Sequence, residues 1–249
     1  MAMPDGFLRF VRIEKAFDQN RVLRGVDLVV ERGETVVVLG GSGSGKSVLL
    51  RHAVGLMQPD SGEVWVDGVE ISHLGEDGLL ETRKKVGMLF QSGALFDSMT
   101  VFENVAFALV EHTDWDDARI LARVEEVLGL VELGDVLDLM PASLSGGMRK
   151  RVALARAIAL APAAILYDEP TTGLDPITAN TINHLIRSLQ KRLGVTSIVV
   201  THDIHSAFTV GDRIAFLHEG RILFHGTTEE ARHAPVPLLQ NFLQGGGYA

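Results

Sequence analysis

Eight residues decide most of what this chain can fold into. Gly40-Gly41-Ser42-Gly43-Ser44-Gly45-Lys46-Ser47 follow the branched apolar run Thr35 to Leu39 and precede a helical run from Val48 to Leu56. A strand, a glycine-rich turn and a helix in that order fit G-x-x-x-x-G-K-[ST], the pattern whose backbone N–H groups close around phosphate oxygens. Glycine lets the backbone approach that closely. In this reading Lys46 neutralises β and γ phosphates and the Ser47 hydroxyl is a ligand for Mg²⁺. A flexible Gly-Ser turn would leave both Lys46 and the flanking elements unexplained.

The rest of the chain fits the same frame. Ala164 to Tyr167, Ser197 to Val200 and Ile214 to Leu217 are short, branched and apolar, as strands buried on both faces of a parallel sheet should be. Longer helical patterns separate them, which predicts an α/β fold. Glu63 to Gly68 alternates with period two and ends in a turn dipeptide, a hairpin strand. Between about Ser92 and Leu160 only helices are expected. Thr100-Val101-Phe102-Glu103 is a capping box with Met99 as its hydrophobic neighbour, and Ile120, Leu121, Val124, Val127 and Leu128 keep helical spacing.

A second glycine-bearing loop, Leu144-Ser145-Gly146-Gly147-Met148, opens another helix and offers further N–H groups to an anion. The strand Ala164 to Tyr167 then ends in Asp168-Glu169, at the sheet edge where α/β proteins bind ligands. There Asp168 can hold Mg²⁺ through water, and Glu169 can polarise or deprotonate an attacking water. Taken alone, an Asp-Glu pair at a strand end is as often a helix cap. Two anion sites beside one acidic strand end point to ATP gripped from both sides.

Gln91 closes the run Val86 to Phe90 and places a neutral amide within reach of Mg²⁺ or the water. His202 follows another strand end and can donate to a γ-phosphate without a lysine's full charge. His202 and His205 lack a third zinc ligand. Asp175-Pro176 is a helix cap ahead of Ile182, Leu185, Ile186 and Leu189, and a link between two sites would be an addition to that role.

The charge balance excludes other classes. Lys plus Arg number 23 and Asp plus Glu 32, a formal charge of −9, which argues against nucleic acid or anionic lipid as the main partner. Cysteine is absent, so disulfide and thiol chemistry are excluded. No apolar stretch reaches the length of a membrane span; Arg156 and Pro162 interrupt the best one, Val152 to Tyr167. Met1 to Gly6 lacks a basic-then-apolar leader pattern. A soluble chain that reaches a membrane only through another subunit is expected.

Together the phosphate loop, Gln91, Leu144 to Gly147, Asp168-Glu169, Asp175 and His202, in this order, resemble the ATP-binding subunit of ATP-binding-cassette (ABC) transporters from Phe7 to about Gly226. The resemblance implies a RecA-like P-loop NTPase core at about 1–91 and 161–226 with an antiparallel β subdomain. It also implies an inserted helical subdomain at about 92–160 and a tail at about 227–249, all in one ATP-binding domain. It implies that Phe17, where most relatives carry tyrosine, stacks on adenine. It further implies a dimer of two copies, in which Ser145 and the N–H groups of Gly146 and Gly147 meet the other copy's γ-phosphate. One phosphate loop and one signature loop per chain independently favour such a two-fold pair.

Met148 stands where typical relatives have glutamine. With the run Met88 to Ala106, the Gly40-Gly41 start of the loop and the tail Asn241 to Gly245, it resembles ATPases of lipid transporters that work with mammalian-cell-entry (MCE) domain proteins, including the maintenance-of-lipid-asymmetry (Mla) group. That implies integral permease subunits and an MCE-domain lipid-binding protein as partners. It also implies a location at the cytoplasmic face of a bacterial inner membrane. Leu95, Phe96, Met99 and Phe102 are candidates for the groove that receives a short permease helix, with Val101 and Val105 in the core. Phe242 and Leu243 are expected to anchor a tail on the neighbouring copy, and Gly245 to Gly247 to fray. Rival readings are an ATPase for another cargo and a cell-division-type ABC ATPase that moves none.

Overall fold

The structure, a computed structural model, describes residues 6–245. Met1 to Asp5 and the glycine-rich end at Gly246 and Gly247 lie outside the described residues.

The chain opens with a long antiparallel pair that the sequence reading did not identify, β1 (Leu8–Phe17) and β2 (Asn20–Val30). The run Thr35–Leu39 is β3, and α1 (Lys46–His52) follows the glycine loop. This helix stops four residues before the expected Leu56. Gly55 takes φ +62°, the Leu56 N–H returns to the Arg51 carbonyl, and Arg83 donates to the Val54 and Gly55 carbonyls. A left-handed glycine with a six-residue closure ends a helix even where apolar residues come next.

The hairpin is β4 (Ser61–Val66) and β5 (Val69–Glu70), joined by Asp67-Gly68 with both residues at positive φ. Next come α2 (Glu76–Lys84) and β6 (Val86–Leu89). The segment 92–160 holds α3 (Val101–His112), α4 (Asp117–Leu130), a 3-10 turn at Pro141–Ser143 and α5 (Gly146–Ile158). The capping box on α3 is formed, but Met99 makes no apolar staple across it. The residue a staple would meet is Asn104, fully buried, whose amide donates to the Phe96, Met99 and Thr100 carbonyls. A polar side chain at that position fixes the entry of the chain by hydrogen bonds instead.

The second half holds β7 (Ala164–Asp168), α6 (Pro176–Leu193), β8 (Thr196–Thr201), α7 (Ile204–Val210), β9 (Arg213–His218) and β10 (Arg221–Thr227). The strands assemble as an antiparallel sheet β2-β1-β4-β5 and a six-stranded sheet β10-β9-β3-β8-β7-β6. Within the larger sheet the pairs from β9 to β6 are parallel, and β10 runs antiparallel at the edge. This is the P-loop NTPase architecture of the α/β class.

Alternate side chains of the central strands enter different cores. Val37, Leu39, Ile165, Tyr167, Val199 and Phe216 pack toward α3 to α7, whereas Val36, Val38, Leu166, Val200 and Leu217 pack toward α1 and the antiparallel sheet. Short helices α8 (Thr228–His233) and α9 (Pro237–Leu243) close the chain. The tail pair expected to anchor on a neighbouring copy also makes contacts within its own chain. The Phe242 ring lies 5.5 Å from Phe216 of the same chain, and Phe242 and Leu243 pack on its own core.

Candidate active site

The glycine loop turns where only glycine fits. A Cβ on Gly40 would lie 2.2 Å from the Leu217 carbonyl oxygen, and Gly45 takes φ +104°. Lys46, first residue of α1, is buried at 6% exposure and donates to the carbonyls of Gly40 and Gly41, each at 2.9 Å. Burial pushes the Lys46 ammonium below its usual pKa, and the Glu169 and Asp168 carboxylates oppose that shift. The Glu169 Oε1 atom is 3.6 Å from the ammonium.

Ser47 and Asp168 meet between α1 and β7, the hydroxyl donating to Asp168 Oδ1 at 2.7 Å. A hydroxyl and a carboxylate are hard oxygen donors of the kind Mg²⁺ takes. That ion keeps waters and substrate phosphates as its other ligands, so two protein oxygens suffice. The donor set fits.

Glu169 carries φ +48°, a left-handed backbone that costs a non-glycine residue about 1–3 kcal/mol. The surroundings hold it there. Its N–H donates to the Val200 carbonyl at 2.9 Å, Thr172 Oγ1 donates to its Oε2 at 3.1 Å, and His202 Nδ1 lies 2.9 Å from the same oxygen. Its carboxylate is turned toward Lys46 and away from the capping role that an Asp-Glu pair often has.

A cavity of about 590 Å³ collects Phe17, Val22, the phosphate-loop residues Ser42, Gly43, Gly45, Lys46 and Ser47, and Gln91, Glu169 and His202. Phe17 is 44% exposed at its rim, with the Lys15 ammonium 5.8 Å from the ring centroid, so it is not a core aromatic. Gln91 is exposed at the mouth. Gly40, Gly41 and Ser44 shape the loop behind these residues, the Ser44 N–H donating to the Gly41 carbonyl at 3.3 Å.

Four predicted residues stand elsewhere. Ser145 caps α5 through its Oγ, which accepts from the Met148 N–H at 3.2 Å, and Gly146 and Gly147 begin that helix. A Cβ on Gly147 would sit 2.5 Å from Thr178 Cγ2, and Thr178 Oγ1 donates to Asp175 Oδ2 at 2.6 Å. Asp175 caps α6, accepting the Ile177 and Thr178 N–H groups, and those bonds hold its carboxyl below the usual range. The signature loop and Asp175 therefore share a surface outside the cavity of their own chain.

The expected groove residues divide. Phe96 lies with Leu80, Phe90, Phe107, His112 and Arg156 along a groove of about 550 Å³, while Leu95 lines a smaller hollow with Pro141 and Arg149. Met99 and Phe102 line neither; Phe102 packs against the helical core, and Val101 and Val105 are fully buried. Sequence reasoning missed Thr172, and it missed Lys150, buried beneath Gln91 and Glu169. A signal for Lys150 existed: it falls on the buried stripe Gly147, Leu154, Ile158 of α5, where an aliphatic residue is expected.

Comparison with known proteins identifies the family. A family model described as ABC transporter matches residues 23–172. The ATP-binding protein MlaF of the Escherichia coli K12 intermembrane phospholipid transport system is 42% identical over 224 residues, 90% of this chain and 83% of MlaF. The probable ribonucleotide transport ATP-binding protein mkl of Mycobacterium tuberculosis H37Rv is 40% identical over 98% of this chain and 69% of mkl. A dimeric ATP-binding cassette, solved in a post-hydrolysis state with ADP and phosphate bound, superposes with a TM-score of 0.81 at 34% identity. That match covers 88% of this chain and 98% of the other. A family model spanning more than half the sequence, these relatives and the cavity at the end of the parallel strands lead to one conclusion: the chain belongs to the ABC transporter family, as an ATP-binding subunit that hydrolyses ATP.

Proposed function

We propose that two copies of this chain close head to tail around two ATP molecules and drive phospholipid movement through a permease of the MCE/Mla type. One observation carries the dimer: Ser145, Gly146, Gly147 and Asp175 lie outside the cavity formed by Phe17, the phosphate loop, Gln91, Glu169 and His202. From that outward-facing position, the N-terminus of α5 can reach only an anion held by another molecule. The dimeric state of the cassette of similar structure supports the same arrangement.

In this reading Phe17 stacks on adenine, and the loop from Gly40 to Ser47 cradles the phosphates with its N–H groups. Lys46 exchanges its carbonyl partners for phosphate oxygens. Ser47, Asp168 and the Gln91 amide would hold Mg²⁺, which would supply positive charge to offset that of the phosphates. Glu169 orients and deprotonates the attacking water, and His202 steadies that carboxylate and donates to the γ-phosphate. Hydrolysis and phosphate loss then remove the bridge between the two copies.

The phospholipid reading rests on the likeness to MlaF, on Met148 and on the run from Met88 to Ala106. The cargo named for mkl is different at nearly the same identity, so overall identity does not choose between them. Among the described residues no helix is long and apolar enough to cross a membrane. In the same reading, attachment to the cytoplasmic face of the inner membrane would run through a permease seated in the Phe96–Phe107 groove. Glu169→Gln should retain ATP binding, lose hydrolysis by about 10²–10⁴-fold, and run as a dimer on size exclusion with ATP. A variant that stays monomeric with saturating ATP rejects the closed pair. Purification from native membranes with identification of the bound permease and lipid tests the cargo, and co-purification of a permease without any MCE-domain protein rejects it.

A further inference from the structure

A lysine sits where α5 has every reason to carry an aliphatic side chain. Lys150 is 6% exposed and shares its helix face with Gly147, Leu154 and Ile158. An ammonium is expensive to bury unless its three donors find acceptors. Its Nζ donates to the Gln91 carbonyl oxygen and lies 3.5 Å from that of Glu169. These carbonyls stand just past the ends of the neighbouring parallel strands β6 and β7. One cation thus spans the backbones of the two residues assigned above to the metal and the water.

Two further observations give this contact direction. Arg156, further along α5, donates to the Gly93 and Ala94 carbonyls at 3.0 and 2.8 Å, so the loop after β6 is tied to α5 at two points. Of these two cations, Lys150 is the one that also reaches Glu169. The Glu169 peptide has the left-handed φ noted above, held on its N–H side by Val200 and on its carbonyl side by Lys150. The Asp168 and Glu169 carboxylates attract the same ammonium and oppose the burial that lowers its pKa.

We infer that Lys150 is a positioning residue for hydrolysis, fastening the Gln91 and Glu169 backbones to the helix that begins at Ser145. The inference rests on the roles given above to Gln91 and Glu169. Its consequence is a route between the two composite sites. The N-terminus of α5 would grip the partner's ATP, while Lys150 of that same helix arranges this chain's own hydrolytic side chains. A shift of α5 on the partner's nucleotide is then felt at this chain's water.

The test compares Lys150→Met, which keeps the length and removes the donors, with Lys150→Arg, which restores them. Steady-state kcat and KM for ATP, ATP affinity and thermal midpoint are measured for each beside Glu169→Gln. Lys150→Met should lower kcat by about tenfold to a hundredfold, the scale of misplaced reacting groups. Its KM and ATP affinity should stay within about threefold of the parent, its melting temperature should not fall, and Arg should recover most of kcat. Unchanged kcat in Lys150→Met overturns the inference. So does a joint loss of affinity, melting temperature and kcat that Arg fails to recover, because that describes a core residue. If Lys150→Met does not fold, Lys150→Arg decides alone: near-parent kcat supports positioning by the cation, and a large loss at intact ATP affinity and melting temperature opposes it. Retained hydrolysis in Glu169→Gln would instead reject the site assignment on which the inference stands.

Discussion

The two glycine-bearing loops are built from similar residues and end up opposite in character. The phosphate loop is enclosed: Lys46 is buried, its donors are used by Gly40 and Gly41, and Ser47 meets Asp168 across the sheet edge. The signature loop ends on a surface, with Ser145 exposed and Gly147 pressed against Thr178 of α6. The first loop makes most of a site with its own chain. The second lies outside that site on an exposed face, and the difference is set by the neighbours each loop meets in space. Gly40 leaves a strand end among parallel strands; Gly147 abuts the capped end of another helix.

The sharpest way to break this contrast is complementation. Ser145→Arg alone and Lys46→Ala alone should each lose ATPase activity by more than about a hundredfold. Mixed together, they should regain up to about a quarter of parental activity, since half of random two-fold pairs hold one intact site of two. If each loop served its own chain, mixing would restore nothing. Monomeric ATP affinity gives the next effect: Ser145→Arg should bind as the parent does, whereas Lys46→Ala should bind at least about tenfold more weakly. Equal losses in both would place the signature loop in the cavity after all.

A gentler probe concerns the groove beside the signature helix. Phe96→Asp or Phe107→Asp should abolish capture of a permease while leaving basal hydrolysis within about twofold, because both rings are exposed and neither lines the nucleotide cavity. Leu95→Asp should weaken capture less, since Leu95 faces a different hollow. Capture unaffected by either phenylalanine moves the docking surface elsewhere.

The smallest effect separates the loops by acid. His52, fully buried on α1, lies 2.6 Å from the Val48 carbonyl through Nδ1, and burial lowers its pKa from the usual 6.5. The folded state therefore binds this proton less readily than the unfolded chain. Stability is retained above pH 6.5 and lost as pH falls from there toward the depressed folded value, by up to about 1.4 kcal/mol per pH unit. Urea unfolding at pH 7.5 and 5.5 should show a smaller acid loss for His52→Leu than for the parent. An equal loss would assign the acid sensitivity to other groups.

Much of this was readable in the chain because the decisive interactions are local. Eight consecutive residues carry the phosphate loop, and the capping of Asp175 and the box at Thr100 and Glu103 span four residues each. Strands β1, β2 and β10 were illegible because they lack a clean apolar rhythm. In β1 Arg9, Arg12, Glu14 and Lys15 interrupt the apolar residues, and bulges shift its pairing at Phe10 to Glu14. Met99 misled because the partner of a staple lies four residues past the cap, and here it is Asn104. The tail was illegible for a different reason: an apolar pair such as Phe242 and Leu243 fits a neighbour's surface as well as its own, and only the fold brings Phe216 to 5.5 Å from Phe242. Lys150 could have been found by asking which charge breaks an apolar helix face.

The two-faced burial of β3 makes Gly40 a piece of folding machinery. Val36 and Val38 enter one core, Val37 and Leu39 the other, so a one-residue slip of this strand would exchange apolar for apolar on both sides. Polarity alone gives such a strand little reason to stay in register. Gly40 supplies one, because its bare Cα lies so close to the Leu217 carbonyl on β9 that any neighbour with a side chain is refused. The residue that admits phosphate thus also indexes the central strand, and Gly40→Ala should misfold where a change at Ser42, on the open side of the loop, should not.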